Sequence, residues 1–96
     1  MPPAFEWDQN KARLKLRKHG VTFLDAASVF GDPLARIFDD ADHSDQEFRE
    51  IIIGRSAGGK LLLVCFTELF ENQVRIISAR RATKLEQNDY EENVTK

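Results

Sequence analysis

The fold is decided by residues 74–86, V-R-I-I-S-A-R-R-A-T-K-L-E, in which a strand pattern gives way to a helix start. The first half of this stretch alternates as a β-strand does, with residues 74, 76 and 78 on one side and residues 75, 77 and 79 on the other. Because both sides are largely apolar, the strand is predicted to lie inside a sheet rather than at its edge. Thr83 followed by Glu86 forms a capping box, so a helix is predicted to begin there.

Two arginines of this stretch, Arg75 and Arg80, bring cationic side chains onto a rigid element. A guanidinium group suits a phosphate because its planar fork meets two oxygens. The alternative is that both arginines only cover apolar surface or pair with acids. Positions 75 and 80 differ by an odd number, so in a regular strand they face opposite sides. Either a bulge or the strand end therefore brings both to one site, or only one of them serves it.

The length of 96 residues allows one domain, residues 1–96, with one modest core. No apolar run approaches the roughly 20 residues that span a bilayer. The start M-P-P-A-F-E-W-D lacks the cationic and apolar regions of a signal peptide. The single cysteine, Cys65, lies in an apolar run and is predicted to be a buried hydrophobic residue. Together these features predict a cytoplasmic protein.

The charged residues are segregated along the chain. The net charge of −2 argues against a general nucleic-acid binder. A basic cluster nevertheless occupies residues 11–18, whereas residues 39–50 and 86–92 are mainly acidic. This distribution predicts separate surfaces for separate partners.

Capping residues delimit two helices in the first third of the chain. Asp8 is predicted to cap a helix that runs to about Lys18 and is ended by Gly20. Thr22 is predicted to cap a second helix, which Gly-Asp-Pro at residues 31–33 stops. Residues 5–7 before them fit either a short strand or an anchored arm.

Period-2 patterns predict four strands after the helices. Their ranges are residues 34–38, 48–54, 60–67 and 74–80. Short connections between them favour antiparallel neighbours. The predicted fold class is α+β, with two N-terminal helices, a four-stranded antiparallel sheet and a C-terminal helix.

Polar residues on ordered elements are the candidate catalytic groups, because no phosphate loop, dinucleotide fingerprint or zinc pattern is present. Neither a cofactor nor a metal is predicted. The candidate catalytic residues are His19, Glu47, Arg49, Arg75 and Arg80. The candidate RNA-binding residues are Lys11, Lys15, Lys18 and Arg81. RNA cleavage without a metal needs a base, an acid and cations that stabilise the phosphorane charge.

Structural alternatives exist for the same residues. His19 could simply occupy the end of its helix, where a cation is favoured. Glu47 and Arg49 could form an ion pair across strands or on one face of a strand. A Ser-His-Asp site drawn from residues 42–45 is disfavoured, since adjacent residues in an acidic loop rarely converge in that way.

Six motifs give the chain a resemblance to a known family. They are W-D-Q-N-K-A (7–12), K-H-G-V-T-F (18–23), A-x-x-V-F-G-D-P (26–33), D-H-S (42–44), R-x-x-x-I-G (49–54) and R-I-I-S-A-R-x-A-T (75–83). In this order they resemble the BrnT family of type II toxins, which are small bacterial ribonucleases. The motifs span nearly the whole chain.

The resemblance implies a RelE-like fold and RNA cleavage that halts translation. It also implies a BrnA-type antitoxin, whose ribbon-helix-helix part binds operator DNA, so that DNA is contacted only through the antitoxin. An acidic or amphipathic antitoxin segment is expected to cover the basic first helix. By analogy, the polar positions of the family fall on Lys11, His19, Glu47, Arg49, Arg75 and Arg80.

The chain departs from the family pattern at two places. Family members usually carry Asn where this chain has Lys15, and many carry an arginine where Leu69 and Phe70 follow Thr67-Glu68. A competing function is therefore a catalytically weak homologue that acts mainly as a binding module and corepressor with its antitoxin. A stand-alone metabolic enzyme has little support, since nothing encodes a cofactor site.

Overall fold

The computed structural model describes residues 3–40, 48–70 and 72–94, apart from the side chains of residues 93 and 94. In this part of the chain there are five strands and three α-helices. The strands are β1 (Ala4–Glu6), β2 (Arg36–Asp39), β3 (Glu50–Arg55), β4 (Leu61–Glu68) and β5 (Gln73–Arg81). The helices are α1 (Gln9–His19), α2 (Phe23–Ser28) and α3 (Lys84–Val94), and a 3₁₀ turn (Val29–Gly31) extends α2. The predicted residue Glu47 and most of the acidic loop lie outside the described residues.

All five strands form one sheet in the order β1-β5-β4-β3-β2. The pairs β2–β3, β3–β4 and β4–β5 are antiparallel, as predicted, and β5 lies inside the sheet. The prediction of four strands in a purely antiparallel sheet is wrong, because β1 adds a fifth strand that runs parallel to β5. A three-residue strand is too short to show an alternating pattern, so its pairing could not be predicted from periodicity.

The predicted helix-end signals are confirmed at both N-terminal helices. The Asp8 carboxylate accepts the backbone N–H groups of Asn10 and Lys11, and Thr22 Oγ1 accepts that of Asp25. Gly20 ends α1 in the left-handed region at φ 69°. None of the described helices is long and apolar enough to cross a bilayer.

A β-bulge interrupts the pairing of β4 with β5. Cys65 is paired with Ser78, but the next residue, Phe66, is paired with Ile76. Ile77 is therefore an extra residue on β5. An extra residue shifts the alternation of the strand by one position beyond the bulge.

The bulge changes which side chains of β5 enter the core. The sequence pattern placed Ser78 on the side of Ile76, but Ala79 takes that place and is 1% exposed. Ser78 instead lines a cleft together with Arg80. Because the shift offsets the odd spacing, Arg75 and Arg80 face the same side of the sheet.

Helices cover the sheet on both faces. On one face α2 and its 3₁₀ turn pack on the main core, which is formed by Val21, Phe23, Ala26, Val29, Ile52, Leu62, Val64, Phe66, Val74, Ile76 and Ala79. On the other face, Tyr90 of α3 packs against Ile53, Leu61 and Leu63. The cleft described below lies on this second face, where Leu63 and Ile51 also line it.

The carboxylate of Asp32 links three parts of the fold. Its Oδ2 accepts hydrogen bonds from the Tyr90 hydroxyl at 2.7 Å and from the Arg55 backbone N–H at 2.8 Å. Its Oδ1 accepts the Leu34 N–H at 2.9 Å. Burial alone would raise the pKa of Asp32, but these hydrogen bonds and the Arg55 charge hold that pKa below its usual value. Burial and the bond to Asp32 raise the pKa of Tyr90 to about 12.

Tyr90→Phe should lower the free energy of unfolding by about 1–2 kcal/mol, because Asp32 loses a donor and α3 loses its polar link to the loop before β2. Urea unfolding at neutral pH measures this change. Gln87→Ala on the exposed side of the same helix is the matched control and should stay within about 0.5 kcal/mol of the wild type. Equal stability of Tyr90→Phe and the wild type would show that this link does not hold α3 in place.

Candidate functional site

A cleft of about 570 Å³ lies between α1 and strands β3, β4 and β5. It is lined by Lys11, Lys15, His19, Asp40, Arg49, Ile51, Leu63, Cys65, Ile77, Ser78, Ala79 and Arg80. Two lysines and two arginines thus face one carboxylate. The cleft is cationic although the chain as a whole carries a net charge of −2, so it is suited to an anionic ligand.

Three predicted catalytic residues, His19, Arg49 and Arg80, come together in this cleft. They come from the end of α1, the residue before β3 and the end of β5. Two of the predicted RNA-binding residues, Lys11 and Lys15, line the same cleft from α1. Helix α1 and strand β5 therefore carry Lys11, Lys15, His19 and Arg80, while Arg49 directly precedes β3.

The remaining predicted residues are placed differently. Arg75 does not line the cleft, and its Nε donates to Glu6 Oε1 at 2.9 Å on the neighbouring strand β1. Neither Lys18 nor Arg81 lines the cleft. Glu47 is outside the described residues. The roles predicted for these four residues stay predictions, as do the roles predicted for the residues that line the cleft.

His19 occupies the last position of α1, but the helix end does not depend on its side chain. The backbone N–H of Gly20 closes the helix by donating to the Leu16 carbonyl at 2.8 Å. Lys11, Lys15 and His19 lie four residues apart on α1, so they share one face of the helix. This placement directs the imidazole toward the cleft with the two lysines.

The surroundings of His19 favour its neutral form. Burial lowers the pKa of the imidazole below 6.5, and the charges of Lys15, Lys18 and Arg80 lower that pKa further. At pH 7 the side chain is therefore mainly neutral and one ring nitrogen has a lone pair. A neutral imidazole among cations can accept a proton from a bound hydroxyl group.

Arg80 is anchored by a carboxylate of α3. Its Nη1 and Nη2 donate to Glu86 Oε1 and Oε2 at 2.8 and 2.9 Å, and Nη1 also donates to the Arg81 carbonyl at 3.1 Å. The hydrogen bonds from Arg80, together with the Thr83 N–H that donates to the same carboxylate, lower the pKa of Glu86 to about 2. Among the described residues, these bonds leave the Nε hydrogen and one Nη2 hydrogen of Arg80 for a ligand.

Sequence reasoning missed three residues of the cleft that carry a polar or ionisable side chain: Asp40, Cys65 and Ser78. Cys65 is partly exposed, with its Sγ 3.6 Å from Asp40 Oδ2, so the prediction that it is a buried core residue is wrong. The bulge turns Ser78 away from the core. Asp40 is one of several acids in an acidic run, so its sequence position did not distinguish it from its neighbours. The lone serine within an apolar strand was the one signal in the sequence that could have indicated a polar site.

The groups of the cleft match an anion. The described residues contain no group of three His, Cys, Asp or Glu side chains that could hold a metal ion. The cleft itself presents ammonium and guanidinium groups, which bind phosphate oxygens through charge-assisted hydrogen bonds. The apolar side chains Ile51, Leu63 and Ile77 lie among these cations and lower the local polarity.

Comparison with known families gives a match over residues 7–86, to the family described as the ribonuclease toxin BrnT of type II toxin–antitoxin systems. The chain belongs to the BrnT ribonuclease toxin family. The matched residues include all the residues that line the cleft and end at Glu86, the residue that anchors Arg80. Most of α3 lies beyond the match.

Solved structures agree with this assignment. The chain is similar to the ribonuclease toxin BrnT of Brucella abortus, known from a 1.1 Å crystal structure, with a TM-score of 0.67 and 25% sequence identity. The similarity covers 85% of this chain and 99% of the Brucella chain. None of the curated proteins compared with the chain matches it.

An NMR titration should give His19 a pKa below 6.5, and Lys15→Met should raise that pKa because it removes the positive charge that lowers it most and keeps an unbranched side chain. Arg13→Met is the matched control, since its guanidinium donates to Asn10 on the same helix and does not line the cleft. A His19 pKa that is the same in Lys15→Met and the wild type would contradict the proposed electrostatic environment.

The Arg80–Glu86 pair should make stability depend on acid pH. The folded state lowers the pKa of Glu86 from 4.5 to about 2, so the pair's contribution is fully present above about pH 4.5 and is lost as the pH falls toward 2. Glu86→Gln should therefore be less stable than the wild type at pH 7, and the difference should shrink between pH 4.5 and 2. Urea unfolding at several pH values measures it; a difference that does not change with pH would exclude this ion pair as its source.

Proposed function

We propose that this chain is a metal-independent endoribonuclease toxin that acts in the cytoplasm and inhibits translation by cleaving RNA. The observation that carries the proposal is the convergence of His19, Arg49 and Arg80 in one cationic cleft. Membership of the BrnT family supports the ribonuclease class. The finer features, which are the acid–base mechanism and the residues that perform it, rest on the chemistry of the cleft.

In the proposed reaction, His19 is the general base. Its neutral ring nitrogen takes the proton of a ribose 2′-hydroxyl, and the 2′-oxygen attacks the adjacent phosphorus. The bond from phosphorus to the 5′-oxygen breaks, and that oxygen takes a proton from water. The hydroxide left from that water is neutralised by the proton that His19 then releases, so the imidazole returns to its neutral form. The products are a 2′,3′-cyclic phosphate and a 5′-hydroxyl end, and the atoms and charges balance without an oxidant or a metal.

The two arginines stabilise the charge that develops on the phosphorane. Arg49 has a buried Nε and reaches the cleft from the start of β3, so its charge acts in a partly desolvated setting. Arg80 keeps its bidentate bond to Glu86 and offers its remaining hydrogens to a phosphate oxygen. Lys11 and Lys15 hold the neighbouring phosphates as point charges.

The proposed partner is a cognate antitoxin of the BrnA type, with a ribbon-helix-helix part that contacts operator DNA. Membership of a type II toxin family supports the existence of an antitoxin. An acidic or amphipathic segment of the antitoxin would cover the lysines of α1 and block the cleft, since RNA and an acidic peptide seek the same charges. The toxin would then meet DNA only through this complex.

His19→Ala, Arg49→Ala and Arg80→Ala should each lower the rate of RNA cleavage by about 10²-fold or more, because each removes a base or a donor that stabilises developing charge. Single-turnover cleavage of a labelled RNA measures the rates, with and without a chelator. Arg75→Ala tests whether an arginine outside the cleft, which was also predicted to be catalytic, contributes to cleavage. If the cleft is the active site, Arg75→Ala should change the rate of RNA cleavage by less than about tenfold.

Arg80→Ala needs a stability control because it also breaks the pair with Glu86. Glu86→Gln supplies it: this variant breaks the ion pair but keeps the guanidinium. If loss of fold rather than chemistry caused the effect, both variants would lose activity in proportion to their stability.

Wild-type protein that cleaves no RNA and causes no growth arrest, yet represses its operon with the antitoxin, would instead establish the corepressor function.

A further inference from the structure

The edge strand β2 is an exposed pairing surface at one end of the sheet. β3 is its only neighbour among the described strands, and all four of its residues, Arg36–Asp39, are exposed. Phe38 is 47% exposed although it is aromatic. An edge with unpaired N–H and C=O groups and an exposed aromatic side chain is a template for pairing with another strand.

The hydrogen bonding of β2 with β3 fixes which backbone groups point outward. Asp40 N–H donates to the Arg49 carbonyl at 3.0 Å, so Asp40 and Arg49 form a hydrogen-bonded pair. In an antiparallel ladder such pairs alternate along the strand. The backbone groups of Phe38 therefore also point to β3, whereas those of Ile37 and Asp39 point to the open edge.

This alternation restricts how a second copy could add to the edge. Around a two-fold axis, only residues with outward backbone groups can exchange hydrogen bonds between the copies. Three registers are therefore possible: Asp39 opposite Asp39 of the second copy, Ile37 opposite Ile37, or Ile37 opposite Asp39. With Asp39 opposite its own copy, two carboxylates would repel. With Ile37 opposite its own copy, Arg36 would face Phe38.

In the register with Ile37 opposite Asp39, the charges and side chains of the two copies complement each other. Ile37 faces Asp39 of the second copy, and the two Phe38 residues meet on the axis. There they form a non-hydrogen-bonded pair, in which side chains approach most closely and aromatic pairs stabilise. Two residues away on the same face, Arg36 stands opposite Asp40 of the second copy, so each end of the strand pair brings together opposite charges.

We propose that a second copy of this chain binds at β2, in antiparallel register with Phe38 on the two-fold axis. The two five-stranded sheets then continue as one. The proposal does not rest on the ribonuclease function. Four main-chain hydrogen bonds, the aromatic pair and two ion pairs join the copies. A four-residue edge buries less surface than the roughly 1,000 Å² of a stable interface, so the dimer dissociates on dilution.

Proline substitution tests the pairing without disturbing the monomer. The Ile37 N–H points away from β3, so Ile37→Pro removes only an outward donor, and proline is tolerated at such edge positions. Sedimentation equilibrium over a concentration series up to the high-micromolar range should show a monomer–dimer equilibrium for wild type. Ile37→Ala keeps the N–H and is the matched control. It should still dimerise, whereas Ile37→Pro should remain a monomer.

Charge exchange tests the register. Arg36→Asp should weaken the dimer, because it places two acids opposite each other. The double variant Arg36→Asp/Asp40→Arg should restore association toward the wild-type level, since the opposite charges are exchanged. Circular dichroism checks that each variant is folded. Failure of the double variant to regain association over Arg36→Asp would overturn the register.

Cross-linking locates the two-fold axis. In a Cys65→Ala background, Phe38→Cys should form an intermolecular disulfide on mild oxidation. The Cα–Cα separation of a non-hydrogen-bonded pair lies within the range that a disulfide spans. Ile37→Cys is the matched control and should form no intermolecular disulfide, since it faces Asp39 of the second copy. Wild-type protein that remains a monomer throughout, together with no cross-link at position 38, would overturn the dimer; a cross-link at position 37 alone would overturn its register.

Discussion

The bulge at Ile77 is the constraint on which the candidate site depends. Without it, the alternation of β5 would send Arg80 toward the main core, where a guanidinium would lose its hydration. With it, the small Ala79 fills the core and Arg80 reaches the cleft. One inserted residue thus makes a single strand serve both the packing of the sheet and a cationic site, which is a common use of bulges.

Glu86 connects that site to the last helix. Its carboxylate accepts the Thr83 N–H and closes the capping box, while both its oxygens bind Arg80. A helix start and a strand end are therefore joined by one acid. The same contact occupies part of the guanidinium that a phosphate would need. The hydrogen-bond donors that Arg80 presents to the cleft are consequently coupled to the position of α3, because movement of the helix would change them.

Local signals in the sequence predicted most of the elements. The caps at Asp8, Thr22 and Thr83 act over a few residues, so their patterns are visible in the chain itself. The capping box predicted the bonds between Thr83 and Glu86, but the ion pair with Arg80 depends on how the strand ends against the helix. The bulge and the parallel pairing of β1 depend on neighbouring strands and left no periodic signal. Of the five predicted catalytic residues, His19, Arg49 and Arg80 line one cleft, whereas Arg75 pairs with Glu6 on the neighbouring strand.

The edge of the sheet next to β5 is only partly covered by β1, and this explains where the cleft lies. β1 pairs only with Gln73–Arg75 of β5, so the described structure has no strand beside the rest of β5 on that side. Instead the chain turns at Asp8 into α1, which packs against β5. A helix presents side chains where a strand would present backbone groups, and Lys11, Lys15 and His19 are those that face the cleft. A longer β1 would have filled this place with a ladder of main-chain bonds. The shortness of the edge strand is therefore what allows side chains from a helix and from a bulged strand to form one site.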